Sequence, residues 1–440
     1  MEQTLTKNYS ALPFTEKWAF KQAGRAQTTA LSHAYHRYPA KFIPQIVHEL
    51  VEQYTSPGDL VFDPFGGCGT TLVESRILRR CSIGFDINPV AVFIAQVKIQ
   101  EIEPELLGHH INKAVSRFGA SKEGDSKKEH HKKIGYWFDD LAVDELERLY
   151  ASIITTEDRV CRNFMLCAFS HILKNCSRWL MKSTKPTIHR DKKPQHALDA
   201  FLKQIHMMEK RNKQYYEVIQ KNELEGISAK AEIHDSTKLF PISERSVDLI
   251  VTSPPYVTSY EYADLHQLTL LWLSEDKENF NDWAQHVADY EAFRKEFIGT
   301  NLNNGSPADI SVDVSSIAAA ILQDLKERDG SQAKDVSHYF SDMYSALQNS
   351  ARVLKKNAHI SIIIGNTELK GVEILNAEVA GEMLKNLGFT IKEVYKREIT
   401  NKMIAPWRDI NTGQFTNMAN PDKKKVYQHE FILVAQNSNH

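Results

Sequence analysis

The run "LVFDPFGGCGTTLVESRILRRCSIGFDINP", Leu60 to Pro89, constrains the fold more than any other stretch of this chain. A short apolar segment ends in Asp63. Three glycines follow, Gly66, Gly67 and Gly69, then a segment with helical spacing, then a second apolar segment ending in Asp86. The order is strand, glycine loop, helix, strand. "VAVFIAQVKIQ" continues as another helix, and such a β-α-β-α run predicts a parallel sheet with right-handed crossovers.

Glycines between strand and helix let the backbone turn tightly and let a ligand approach without Cβ obstruction. The loop lacks the Gly-Lys-Ser/Thr ending of a phosphate loop and the GxGxxG spacing of a dinucleotide loop. Asp86, at the end of the second strand, stands where such sheets meet a ribose diol. A glycine loop plus a ribose acid, without a phosphate lysine, points to a nucleoside-type ligand. The bland alternative is a tight turn with Asp86 capping a helix. Asp235, in "AEIHDS", closes a third strand-like run, where it can accept from an adenine amino group or simply cap a turn.

"SVDLIVTSPPYVTSY" poses the second question. An apolar strand runs into two consecutive prolines and a tyrosine. The exocyclic amine of a nucleobase is a poor nucleophile, because its lone pair is delocalised into the ring. Acceptors placed on its N–H groups draw the nitrogen toward tetrahedral geometry as a methyl group arrives. Ser253 brings a hydroxyl acceptor and Pro254 a carbonyl. Pro254 and Pro255 lock the backbone and donate no competing N–H. Tyr256 offers a flat face for stacking. A base reaching such a corner has to leave its duplex. The alternative is a strand-to-loop corner with an incidental Pro-Pro.

Ser253 to Tyr256 resemble the Ser-Pro-Pro-Tyr motif of amino-group DNA methyltransferases. "DPFGGCGTT" looks like that family's donor loop, and "HRYPAKFIPQIV", His36 to Val47, is similar to its motif beside the donor site. Similarity in kind and order extends over 33–89, 231–273 and 357–435. The resemblance implies a Rossmann-like α/β fold with a mostly parallel seven-stranded sheet, S-adenosyl-L-methionine as donor and double-stranded DNA as substrate. Carried over residue by residue, it places Asp63, Pro64, Phe65, Gly67, Gly69, Thr70 and Asn88 at the donor, with Lys41 and Phe42 bordering it. Asp86 would hold the ribose and Asp235 the adenine. Ser253, Pro254, Pro255 and Tyr256 would form the catalytic corner. A serine at the first position is more usual for cytosine N4; adenine-N6 enzymes more often carry Asp. An RNA methyltransferase and a non-catalytic nucleoside- or DNA-binding module are the other readings. A role in restriction, with a separate endonuclease as partner, follows from family analogy alone.

Cys68 stands where the family often has a small residue and reads as space-filling. None of the five cysteines forms a CxxC pair, so reduced thiols and no structural zinc are expected. The 18 histidines show no paired metal spacing. No run of about 18 apolar residues is present, and the N-terminus lacks a secretory pattern, so neither a membrane span nor export is expected and the location reads as cytoplasmic.

The net charge of −2 carries no case for nucleic acid. Locally, eleven Lys and Arg lie between 174 and 213 against three acids. That surface either follows DNA phosphates or is a solvated helical face. Lys182, Lys185, Arg190, Lys192 and Lys193 are the candidate DNA contacts, with Tyr260 beside the corner. Trp272 and Leu273 read as core. The layout expected is an irregular arm (1–30), the donor half of the core (31–100), a basic helical insertion (101–230), the catalytic half (231–273), a polar loop (274–335) and the rest of the core (336–440).

Overall fold

The protein is described by a computed structural model. It covers residues 8–39, 41–124, 130–183, 185–257, 261–276, 279–280, 283–300, 302, 313–399, 407–409, 415–425 and 429–439.

Seven strands form one sheet: β1 (Leu60–Asp63), β2 (Cys81–Asp86), β3 (Ala229–Ile233), β4 (Val247–Thr252), β5 (Leu354–Ile364), β6 (Phe389–Glu398) and β7 (His429–Asn437). Their order across the sheet is β3-β2-β1-β4-β5-β7-β6. The first five are parallel to one another. Only β7 runs antiparallel, between β5 and β6. The central strands read as continuous apolar runs because helices cover both faces. Val61, Phe62, Leu249, Ile250 and Val251 have no exposed surface.

Strand order reverses between β1 and β4. In an open α/β sheet that switch point opens a crevice at the carboxyl ends of the strands, where ligands bind. Asp63 ends β1 and Thr252 ends β4, so sequence and topology put both motifs at one crevice.

Around the sheet pack α1 (Pro44–Tyr54), α2 (Thr70–Ile77) and α3 (Pro89–Lys98). The stretch expected as a helical insertion contains α4 (Pro104–Ala120), α5 (Asp140–Ile154), α6 (Arg159–Cys176) and α7 (Ala197–Lys221). Its apolar faces share one hydrophobic cluster with Cys68, with Phe93 of α3 and with Leu270 to Leu273 of α8 (Gln267–Leu273). The insertion is therefore continuous with the core. Trp272 and Leu273 are buried there, as expected.

Two expectations are corrected. Residues 8–30, the described part of the expected arm, are not irregular. Within the described part, Tyr9 and Trp18 are buried. The Thr15 amide donates to the Lys396 carbonyl at 2.8 Å, pinning the segment to the edge strand β6. Single anchors without periodicity explain why the sequence reads as loop. Nor is 274–335 one loop. It carries short helices Trp283–Ala288 and α9 (Tyr290–Lys295), then α10 (Ser316–Arg328), which packs with α11 (Gly330–Val353). Phe293 and Phe297 bury against the helical cluster and Ile321 and Leu325 against the sheet cluster, so sparse apolar residues suffice to fold it. Residues 301 and 303–311 of "GTNLNNGSPADIS" lie outside the described residues. The chain continues through α12 (Asn376–Asn386) into β6.

Candidate active site

The switch point opens into a cleft enclosing about 840 Å³, part of it open to solvent. Its floor is the glycine loop. Gly69 has φ +79°, and a Cβ there would lie 2.8 Å from Ala95 Cβ in α3. Gly67 has φ +48° and faces the Tyr38 ring, 3.3 Å from where its Cβ would stand. Both positions demand glycine, for backbone conformation and for room.

Asp86 sits at the end of β2 with both oxygens engaged: it accepts from the Gly67 amide at 2.9 Å and the Asn88 amide at 2.8 Å. Burial pushes its carboxyl up to about 6, against the pull of these amides. Asn88 caps α3 by accepting from the Val90 amide, and its Nδ2 donates to the Tyr262 carbonyl at 3.4 Å. Asp235 accepts from the Thr237 amide and hydroxyl at 2.9 and 2.7 Å. Lys41 donates to the His33 carbonyl at 2.8 Å. Burial, and then repulsion from Lys98, lowers its ammonium to about 8.

Of the expected donor residues, Lys41, Phe42, Pro64, Phe65, Gly67, Thr70, Asp86, Asn88 and Asp235 line the cleft. Asp63 and Gly69 do not. Asp63 lies beneath the floor and accepts from Thr71 Oγ1 at 2.7 Å, Thr252 Oγ1 at 2.7 Å and the Phe65 amide at 3.0 Å. Its place is to join loop, helix and β4, and burial raises its carboxyl to about 6.

The corner enters the same cleft. Ser253 and Pro255 line it. Tyr256 does not: its ring rests against Gly365 at the end of β5, and its hydroxyl donates to Glu430 at 3.3 Å. Glu430 pairs with Arg397, whose Nε donates to the Trp18 carbonyl at 2.7 Å. Tyr339, from α11, donates to the Pro255 carbonyl at 3.0 Å and fixes the corner from behind.

Tyr262, which the sequence sets near the corner beside Tyr260, lines the cleft, and several residues outside the sequence expectations join it. Tyr38 lines the cleft. So do Glu296, Phe297 and Ile298, which follow α9. Burial, then the charge of Asp235, raises the Glu296 carboxyl. Behind Tyr38, His36 bonds Ser170 at 3.0 Å, Ser170 bonds Thr269 at 2.7 Å, and His266 stacks on the Tyr38 ring at 5.2 Å. Burial holds His36 and His266 neutral, the latter down to about 4. The only early trace of this network is the "HRYP" stretch itself. Cys68 is more than a filler: it is buried with its sulfur 3.0 Å from Lys98 Nζ. Burial would raise the thiol, but the charges of Lys98 and Lys41 outweigh it and hold Cys68 below its ordinary value.

Among the basic candidates, Lys182, Lys185, Arg190 and Lys193 are exposed and Lys192 is partly folded inward. Tyr260 lies outside the described residues. No group of three or more metal-ligating side chains occurs among the described residues, and none of their helices is long and apolar enough to cross a membrane.

A family model for DNA methylases, of the N6/N4 type, matches residues 2–97 and 247–440, more than half of the chain. The chain belongs to the amino-group DNA methylase family. The type II methyltransferase M.MvaI of Kocuria varians is 24% identical over 425 residues, covering 89% of this chain and 88% of that one. The type II methyltransferase M.BsoBI of Geobacillus stearothermophilus is 23% identical over 305 residues, covering 62% and 58%. Among solved structures, the rRNA methyltransferase aviRa of Streptomyces viridochromogenes aligns with a TM-score of 0.31 at 9% identity, over 94% of each chain. The segment between the two matched blocks, 98–246, contains the helical insertion.

The family is S-adenosyl-L-methionine-dependent, and the cleft fits that donor. Gly67 lines the cleft with φ +48°, and the Asp86 carboxyl lines it at the end of β2. The carboxyls of Asp86, Asp235 and Glu296 line the cleft and suit a cationic ligand.

Proposed function

We propose that this enzyme is a site-specific methyltransferase acting on the N4 amino group of cytosine in duplex DNA, with the target base turned out of the helix into the cleft. The observation that carries this reading is that Ser253 and Asp86 line one cleft, held in register by the Thr252–Asp63 hydrogen bond. The serine at the head of the corner favours cytosine over adenine.

In this reading Asp86 accepts from the donor's ribose hydroxyls and Asp235 from its adenine amino group. Lys41 and Phe42 border the donor, and Pro64, Phe65, Gly67, Thr70 and Asn88 shape its bed. S-Adenosyl-L-methionine, when bound, supplies an electrophilic methyl group. Ser253 Oγ and the Pro254 carbonyl accept from the target amine and bias its lone pair toward the methyl group. Pro254 and Pro255 keep both acceptors aimed. Tyr256, whose ring edge and hydroxyl are held by Gly365 and Glu430, offers its flat face for the base to stack on. After transfer the amine sheds one proton, which Ser253 can relay to water. Expelling water from the cleft strengthens these contacts.

The direct test is to incubate the protein with unmethylated duplex DNA and labelled donor, digest the DNA to nucleosides, and separate them by mass. N4-methyldeoxycytidine is the expected product. N6-methyldeoxyadenosine would keep the corner and overturn the base. Methylated RNA but unmodified DNA would overturn the substrate.

A further inference from the structure

Arg37 lies one residue from Tyr38 on the cleft wall. Its Nε and Nη2 donate to His171 Nε2 at 3.1 and 3.0 Å, and Nη2 also meets the Asn175 side-chain oxygen. Lys174, in the last turn of α6, donates to the Ser183 carbonyl at 2.7 Å and stands 5.3 Å from the Trp179 ring centre. Lys192 reaches back to the same spot and donates to the Lys174 and Trp179 carbonyls at 2.6 and 3.0 Å.

Every partner of these three cations is neutral. Carbonyls, an amide and the Met181 thioether serve Lys174, Lys192 and Arg37, and burial keeps His171 uncharged, down to about 3. Among the described residues no carboxylate pairs with any of them. Burial and then the charge of Arg37 lower Lys174 to about 8, and Lys192, which feels both neighbours, is lowered likewise. All three are partly buried. The carbonyls at the C-terminal end of α6 soften the repulsion but do not cancel three charges. Fixing like charges in one half-buried place costs stability unless an anion completes the site.

We propose that Arg37, Lys174 and Lys192 form a phosphate site that holds one backbone phosphodiester of the DNA strand entering the cleft. The inference rests on the DNA reading above and deepens it. The exposed Lys182, Lys185, Arg190 and Lys193 are not part of this site. A planar guanidinium on a fixed loop gives a phosphate its Nη1 edge and Lys174 its remaining N–H groups, while Lys192, whose three N–H groups meet Lys174, Trp179 and Met181, adds charge. Its position next to Tyr38 ties that phosphate to the target nucleotide, so the contact sets register rather than sequence.

The test uses Arg37→Gln, Lys174→Met and Lys192→Met in the full chain, with duplex binding measured from about 0.05 to 0.3 M salt. Each change is expected to weaken binding about 3- to 30-fold at low salt and to reduce the slope of log affinity against log salt by about one. Donor affinity should remain within about twofold. A duplex with a single methylphosphonate near the target should bind wild type more weakly at one position, with no further loss in the variants. Wild-type salt slopes in all three folded variants would overturn the site. So would variants that lose only a stabilisation by inorganic phosphate, which would mark a free-anion site. If wild type itself neither binds nor methylates duplex DNA, the failure lies in the DNA reading, and the phosphate-stabilisation assay then decides whether the three cations bind phosphate at all.

Discussion

Thr252 Oγ1 donates to Asp63 Oδ1 across 2.7 Å, linking two residues 189 positions apart at the ends of β4 and β1. Asp63 spends its other contacts on Thr71 and the Phe65 amide. One buried carboxylate thus ties the donor loop to the strand that delivers Ser253. Thr252→Val keeps the shape but removes one of the two donors to Asp63 Oδ1, leaving the Phe65 amide, which costs about 0.5–1.5 kcal/mol. A lower melting temperature and a reduced kcat are expected, with donor affinity changed far less. Thermal melts and single-turnover transfer rates check this.

The corner and the donor bed should separate by mutation. Ser253→Ala removes one acceptor from the amine and is expected to slow transfer about 10- to 1,000-fold. Tyr256→Ala should slow it as well, and Tyr256→Phe, which keeps the ring but loses the bond to Glu430, should slow it less. Donor binding, followed by calorimetry, should survive all three. Asp86→Ala should weaken donor binding first.

Donor binding should depend on pH through Asp86. Its carboxyl is raised from 3.8 to about 6, with burial the main cause. Ribose hydroxyls need the ionised form as acceptor. Affinity should be flat above about pH 7 and fall as pH drops through 6, by up to about tenfold per unit. The effect on folding has the opposite sign. A raised carboxyl contributes stability that is fully present below 3.8 and lost as pH rises through about 6. The stability difference between wild type and Asp86→Asn should therefore shrink on acidification while donor affinity falls. Parallel denaturation and binding series at pH 5 to 8 distinguish the two.

Cys68 and Lys98 form a buried pair beneath the loop, 3.0 Å apart. Cys68→Ala leaves the fully buried Lys98 Nζ without its sulfur partner and should cost about 1–3 kcal/mol. Adding Lys98→Met removes the orphaned donor and should recover most of that loss. Urea denaturation of the two single variants and the double variant measures the coupling.

The sequence made the sheet's central half readable because it is built from contiguous pieces. Leu60–Pro89 carries strand, loop, helix and strand in one run, and Val247–Tyr256 carries the corner. What escaped depends on distant partners. Arg37 meets His171 from 134 positions away, and Tyr339 meets Pro255 from 84. Glu296 reaches the cleft from a polar stretch without periodicity. Such contacts leave no local pattern, since each residue alone resembles an ordinary surface polar group. Asp63 shows the converse. Its motif was legible, but its place under the floor rather than on it became visible only with Thr71 and Thr252 around it.

The most direct measurement is to express the protein in a methylation-deficient bacterium and map modified bases across the genome by long-read sequencing, with Ser253→Ala beside it. The account predicts N4-methylcytosine at one defined sequence, lost in the variant. An unmodified genome from abundant folded enzyme, or a mark that persists in Ser253→Ala, would contradict it.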